Sequence, residues 1–505
     1  MGTLINNLRA TGNHLIPLAL MQGVTGGVAL AVLTLALMTS TANASNDVVA
    51  KSFRLFQHGK KEQALILLRE AVRSSPTDLR IQSAYQHAMM NLNRWDELEA
   101  EYKSNLAMHP GDGNAYYLYA TAIGERDNHE FRRIIEERLR VDKAHPWLMF
   151  ASRMNAAVDL IRSGKPDEAL SVVGRAENAL IPADAYRVRS LALESQFRFE
   201  EAYSEATRAL EADPWDSDLY IGAGDLLFEM GSFNKALSYY RTAVALRESA
   251  QTLESVASGL LMMGKMPEAK EQTSNAVHAS SATILDKWAL SQAYSFLGLK
   301  HEALVAVREA DKKVDDVGIH LAAILAESAI SSTTLQEVEM LRLLVDHPTY
   351  APLLVAAGYL YAGHNQFEQG LEFFNRLVML NKRSAEGWQG KAYCEASLGR
   401  EDDAMKAIDH ALRLVPMSGV LLSWKGDVSI TTKNYDAAAK AYTEALKISP
   451  EDGPAALGLC KALVAKKKGR PAVAACKEAV IHSWDAESKS LAQQLLCESQ
   501  VGCAK

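Results

Sequence analysis

The sequence has no cysteine before residue 394, no run after residue 44 that is apolar and long enough to cross a bilayer, and no surplus of basic charge. Each absence excludes something. A formal net charge of −7 over 505 residues removes the electrostatic case for nucleic-acid binding. No Cys follows the N-terminal apolar run, which argues against a lipoprotein anchor, and nothing downstream reads as a membrane span.

Convergent catalytic groups are missing as well. His301-Glu302 is followed by Ala303, Leu304 and Val305, so the second His of a zinc pair is absent. Gly222-Ala223-Gly224 opens like a dinucleotide loop, but Leu227 stands where the third Gly belongs and no strand precedes it. Two glycines in a closely packed helix are the simpler reading. No nucleophile elbow or P-loop occurs. His109-Pro110, His145-Pro146 and His347-Pro348 fall in our frame at helix C-termini, where an imidazolium suits the helix dipole. We therefore expect no enzyme, no cofactor and no metal.

What is present is a repeat. Ala64-x3-Leu68-x2-Ala71-x4-Pro76 returns as Ala202, Ala206, Ala209, Pro214, as Ala404, Ile408, Ala411, Pro416, and as Ala438, Tyr442, Ala445, Pro450. Steps of four and three residues put these side chains on one buried helical stripe, and the proline ends the helix. The preceding helix carries the complementary small positions, as in Leu354, Ala357, Gly358, Tyr361 and in Trp388, Lys391, Ala392 before Gly399.

A period of about 34 residues with this spacing resembles the tetratricopeptide repeat. The resemblance covers roughly Ser45 to Trp484. It implies an all-α fold, a right-handed α-solenoid of about 13 helix hairpins, whose units end near Pro76, Pro110, Pro146, Ile181, Pro214, Glu248, Ser281, Asp315, Pro348, Lys382, Pro416, Pro450 and Trp484. Two units are degenerate: Ile134 and Arg138, then Gln336 and Met340, replace the small and aromatic residues. The expected organisation is an N-terminal segment 1–44, an array 45–316, a degenerate unit 317–349, a second array 350–484, and a capping helix with tail 485–505. Leu491, Leu495 and Leu496 form the buried face of the cap.

Before Ala44 the chain carries a single charged side chain, Arg9, then an apolar run from Val28 to Met38 and the small-x-small step Ala42-Asn43-Ala44. That is the layout of a secretory signal peptide cut after Ala44, with an uncleaved membrane anchor as the alternative. Both readings put the repeats outside the cytoplasm. Export permits disulfides. Cys460 and Cys476 take facing positions in one hairpin, and Cys497 and Cys503 flank a short loop. Two bridges, or small buried thiols, would both suit these positions, and Cys394 is the odd one out. Lys466, Lys467, Lys468 and Arg470 form one basic run at a turn, read as a solvated turn or as a contact for an acidic partner or lipid headgroup.

In tetratricopeptide arrays partners bind as extended or helical peptides on the inner wall lined by the first helices. Carried over, that resemblance marks Tyr117, Arg187, Ile221, Asp225, Phe228, Trp288, Gln292, Phe296, Val355, Tyr359, Gln389, Tyr393, Asp427 and Ile430 as candidate groove residues. Chaperone-binding members grip a terminal carboxylate with Lys, Asn and Arg; the corresponding surface here shows Arg187, Leu191, Ile221 and Asp225, which with export argues against a cytosolic chaperone adaptor. The chain resembles periplasmic repeat scaffolds of exopolysaccharide-export and pilus-type systems. A protein-binding scaffold is thus expected. A peptide or carbohydrate receptor using Trp288, Phe296, Tyr359 and Tyr393, or an enzyme subunit with a site at the degenerate units, are the alternatives.

Overall fold

The computed structural model describes residues 43–499, apart from short interruptions at 264, 331–333, 417, 449, 451, 468 and 483–485. The proposed leader, Trp484, Asp485 and Cys503 therefore lie outside the described residues. Among those described there are 27 α-helices and no named strand.

The helices pair in order. Residues Asn43–Gln57 (α1) and Lys61–Ser74 (α2) make the first hairpin, followed by Leu79–Asn91 (α3) with Trp95–Met108 (α4), Gly113–Gly124 (α5) with Asn128–Val141 (α6), and Pro146–Arg162 (α7) with Pro166–Val173 (α8). Next come Pro182–Ser195 (α9) with Phe199–Ala212 (α10), Ser217–Glu229 (α11) with Phe233–Leu246 (α12), and Ala250–Met262 (α13) with Met266–His278 (α14). Ile284–Phe296 (α15) pairs with Lys300–Asp311 (α16), Val317–Ile330 (α17) with Thr334–Asp346 (α18), and Ala351–Gly363 (α19) with Phe367–Leu380 (α20). Ala385–Ser397 (α21) with Glu401–Leu414 (α22), Gly419–Thr431 (α23) with Tyr435–Ile448 (α24), and Gly453–Ala465 (α25) with Gly469–His482 (α26) complete thirteen hairpins, and Ala486–Ser499 (α27) closes the array. The period read from the alanines is the period of the hairpins.

Local chemistry punctuates each unit. Asp78, Asp112, Asp216, Ser384, Ser418 and Asp452 cap first helices by accepting backbone N–H bonds, which satisfies donors the helix itself leaves unpaired. Inside the hairpins the chain turns through one left-handed residue, as at Gly231 (φ 75°), Gly298 (φ 79°) and Gly399 (φ 72°). Glycine adopts this conformation without the Cβ clash other residues meet.

Packing follows the small-and-large pattern. Phe374 sits between Gly358 on its own hairpin and Gly390 on the next; a Cβ there would meet its ring at 2.6 Å and 2.1 Å. Tyr442 sits the same way between Gly426 and Gly458, at 2.5 Å and 2.3 Å. One aromatic knob from a second helix thus fills two notches. Successive first helices touch one another (α1 with α3, α5 with α7, α7 with α9, α19 with α21, α23 with α25), whereas successive second helices pack on each other more sparsely. The first-helix side is therefore the inner side of the stack.

Several expectations need correction. Pro146 does not end a helix but opens α7, with His145 at its N-cap and the imidazole over Gly113. The unit ending near Ile181 has a short second helix, the eight-residue α8, closed by Gly174 and followed by a 3-10 turn at Ala176–Asn178. In the degenerate α6 the buried residues are Ile134 and Ile135, two adjacent isoleucines that supply the apolar surface in place of the small and aromatic pair. The cap behaves as read: Leu491, Leu495 and Leu496 pack on the α25–α26 core around a fully buried Ala492.

The described residues divide into two compact units, residues 43–259 with 270–339 and residues 260–269 with 340–499, called below the N-terminal and C-terminal units.

Candidate partner-docking surface

The fourteen candidate groove residues all lie on first helices, but they do not form one exposed wall. Tyr117, Ile221, Asp225, Val355 and Tyr393 are buried, so no partner reaches them in this conformation. The other nine are half-buried. The reason is legible case by case. Tyr117 meets Trp147 edge-on at 5.6 Å. Tyr393 lies between Phe367 at 6.0 Å and Trp424 at 6.1 Å, and Tyr359 packs edge-on against Phe374 at 4.9 Å. Rings engaged on each other leave no free face at Tyr393 for a sugar to stack on.

Asp225 and Asp427 have a different occupation. The Tyr240 hydroxyl donates to Asp225 Oδ1 at 2.6 Å, and the Tyr442 hydroxyl to Asp427 Oδ1 at 2.6 Å. Each aspartate follows the notch glycine of its own hairpin, Gly224 and Gly426, and each tyrosine is that hairpin's aromatic knob. Burial raises the Asp225 carboxyl to about 7 and Asp427 to about 6, with the tyrosine hydrogen bond opposing the rise. Where the knob is Phe374, with no hydroxyl to satisfy, the residue after the notch is Tyr359. Sequence reasoning missed this pairing; its signal was the shared fifteen-residue step from Asp to Tyr.

In the N-terminal unit the inner side is also occupied by the chain itself. The ends of first helices meet loops several hairpins further on. Ser83 and His87 of α3 hold Asp213 Oδ2 at 2.7 Å and 3.1 Å, and Asn91 Nδ2 donates to the Trp215 carbonyl at 2.9 Å. Arg247, almost fully buried, bridges Glu125 at 2.9 Å and Asp218 at 2.6 Å. The Glu125 carbonyl accepts from Ile284 N, the Lys313 carbonyl accepts from Asn128 N, and Arg162 pairs with Asp316 at 3.0 Å. Arg187, a candidate for grasping a ligand, is paired with Asp184 at 3.4 Å.

Two stretches match the tetratricopeptide repeat family, residues 217–249 and residues 430–495. The chain carries tetratricopeptide repeats. Among curated proteins it is 23% identical over 239 residues to the Hsp70-Hsp90 organizing protein 3 of Arabidopsis thaliana, a match covering 46% of this chain and 42% of that protein. It is 23% identical to the Hsp70-Hsp90 organizing protein 1 of Glycine max over 238 residues, covering 46% and 41%. The chain thus spans about two-fifths of the length of the curated relatives it matches. Among solved structures, the APC/C hetero-tetramer Cut9-Hcn1 aligns with a TM-score of 0.43 and 18% identity, over 84% of this chain and 90% of that one. A tetratricopeptide repeat protein from Parabacteroides merdae aligns with a TM-score of 0.35 and 16% identity, over 50% and 98%.

Within the tetratricopeptide frame of the C-terminal unit, Tyr359, Gln389, Asp427 and Ile430 are half-buried on the inner side of α19, α21 and α23. A shallow cleft of about 500 Å³ opens elsewhere, between α24, α25 and α26, lined by Lys440, Thr443, Glu444, Lys447, Leu459 and Leu463 among others. None of the fourteen candidates lines it. Of the basic run, Lys466 is ion-paired with Asp436 and Lys467 holds the left-handed turn position (φ 58° at the equivalent Lys433, 53° here); Lys468 lies outside the described residues. Cys460 and Cys476 are joined by a disulfide across α25 and α26, and Cys394 is a buried free thiol that burial pushes up to about 12. Cys497 is also disulfide-bonded. Among the described residues no cluster of His, Cys, Asp or Glu could hold a metal ion, and no helix is long and apolar enough to cross a membrane.

Proposed function

We propose that this tetratricopeptide-repeat protein is a non-catalytic interaction scaffold, exported to the periplasm of a Gram-negative-like bacterium, that supports assembly or function of an envelope complex such as polysaccharide-export or pilus-type machinery. The observation that carries the reading is the inner side of the C-terminal unit, where Tyr359, Gln389, Asp427 and Ile430 from three successive first helices remain half-buried. Such a mixed apolar and polar face suits a peptide or helix from another protein, with an aromatic anchor and a polar rim. Several such contacts along one array multiply the effective concentration of whatever it holds. The curated relatives are by name organizing proteins for Hsp70 and Hsp90, which supports protein partners in general. The Cys460–Cys476 bond supports an oxidising compartment, as does the leader-like composition before Ala44.

Affinity capture from envelope extracts with the full chain tests the docking part. Wild type should retain a stoichiometric protein partner, and Gln389→Arg with Ile430→Arg should lose it. Retention of glycan alone, or equal capture by wild type and variant, would contradict it. Mass spectrometry of the exported chain tests the compartment, with Ser45 expected as the first residue.

A further inference from the structure

The segment Asp213-Pro214-Trp215, between α10 and α11, is seated on the first two hairpins as a ligand would be. Ser83, His87 and Asn91 recur every four residues, so they form one stripe along α3. That stripe reads the segment in order: Ser83 Oγ and His87 Nδ1 take the Asp213 carboxylate at 2.7 Å and 3.1 Å, and Asn91 Nδ2 takes the Trp215 carbonyl at 2.9 Å. The indole of Trp215, fully buried, is met edge-on by Phe53 at 5.3 Å and Phe56 at 5.0 Å, both from α1. The segment is pre-shaped by its own bonds, Trp215 N to Asp213 Oδ1 at 3.0 Å and the Tyr220 hydroxyl to the Pro214 carbonyl at 3.0 Å. Against burial, which favours the neutral ring, the Asp213 carboxylate raises His87 to about 10, so the pair is ionised.

Two features distinguish this contact from ordinary core. The residues it joins are 124 to 130 apart in sequence, whereas each hairpin of a repeat array is held by its immediate neighbours. Releasing the segment therefore need not unfold a hairpin. The Trp215 indole N–H is also buried without a hydrogen-bond partner, which leaves a desolvated donor unsatisfied. The resident segment fits the site imperfectly.

We propose that the α1–α3 face is a binding site for an acidic–aromatic peptide segment, an aspartate two residues before an aromatic side chain, and that residues 213–215 occupy it in cis until a partner presenting such a segment exchanges with them. The site belongs to the N-terminal unit and stands independently of the docking face on the C-terminal unit.

The test uses the full chain and a fluorescein-labelled peptide with the sequence of residues 210–218, followed by anisotropy. Trp215→Ala should vacate the site and bind the peptide at least about tenfold more tightly than wild type, and adding His87→Ala should remove that gain. A peptide with Asp213→Asn and Trp215→Ala should not bind. A Trp215→Ala chain of unchanged helical circular dichroism that binds no better than wild type overturns the proposal. Should that variant fail to fold, wild type decides: excess peptide should accelerate hydrogen exchange at the amides of Asp213 and of residues 215–219, and unchanged exchange there overturns it equally.

Discussion

Asp225 and Asp427 are carboxyls buried against the aromatic knobs of their own hairpins. Each is a carboxylate on a first helix whose proton is held well above the ordinary value of 3.8. A carboxyl whose pKa is raised on folding contributes stability below its unfolded pKa and loses it as the pH climbs through the folded value. For Asp225, raised to about 7, that window runs from about 4 to about 7. Unfolding stability should therefore fall across this range, and Asp225→Asn should flatten the fall in urea titrations at pH 4.5 and 7.5; an unchanged slope would dissociate Asp225 from the effect. Tyr240→Phe removes the donor and leaves the carboxylate oxygen without a partner, so it should cost about 1–3 kcal/mol. Tyr85, whose hydroxyl engages Glu101 instead, offers a control outside the Asp–Tyr arrangement. These pairs were hidden in the sequence because an aspartate at an inner-wall position reads naturally as a ligand contact. The two identical Gly-Asp steps, each fifteen residues before a Tyr, were the available signal.

At the scale of the hairpin, alanine periodicity made the fold readable. Ala404, Ile408 and Ala411 are fully buried or nearly so, while Lys406 faces solvent. Ala404→Leu should destabilise by about 1–3 kcal/mol through overpacking, and Lys406→Leu should change stability by less than about 0.5 kcal/mol; equal melting temperatures would contradict the assigned phase. Gly390→Ala should behave like Ala404→Leu, because the added methyl would enter the Phe374 ring. The short α8 begins at Pro166 and is closed by Gly174, which leaves it eight residues long in a unit of otherwise ordinary period. At the C-terminal end the Cys460–Cys476 bond stands where three other hairpins pair a glycine with an aromatic ring, Gly224 with Tyr240, Gly358 with Phe374 and Gly426 with Tyr442. Reducing it should lower the stability of α25–α27 by roughly 3 kcal/mol, the loop-entropy expectation for a short loop. With nearest-neighbour coupling, hydrogen exchange should rise there and leave α3–α6 unchanged, whereas a uniform rise along the chain would refute local stapling.

Across the whole molecule, period, hairpin count and capping helix followed from sequence, whereas the division of labour between inner surfaces did not. Contacts such as His87 to Asp213 and Arg247 to Glu125 join residues more than a hundred positions apart. They leave no periodic trace, so a groove inferred by repeating one unit overlooks a chain that fills its own inner side. Much of the inner side of the N-terminal unit is engaged internally, whereas Tyr359, Gln389, Asp427 and Ile430 are half-buried on the face proposed for docking in the C-terminal unit. Site-specific photocrosslinking in cells tests this most directly, with the crosslinker at Tyr359, at Ile221 and, as an outer-face control, at Lys406. A discrete protein adduct is expected from Tyr359 and none from Ile221 or Lys406. Adducts from Lys406 or Ile221 with none from Tyr359 would contradict it.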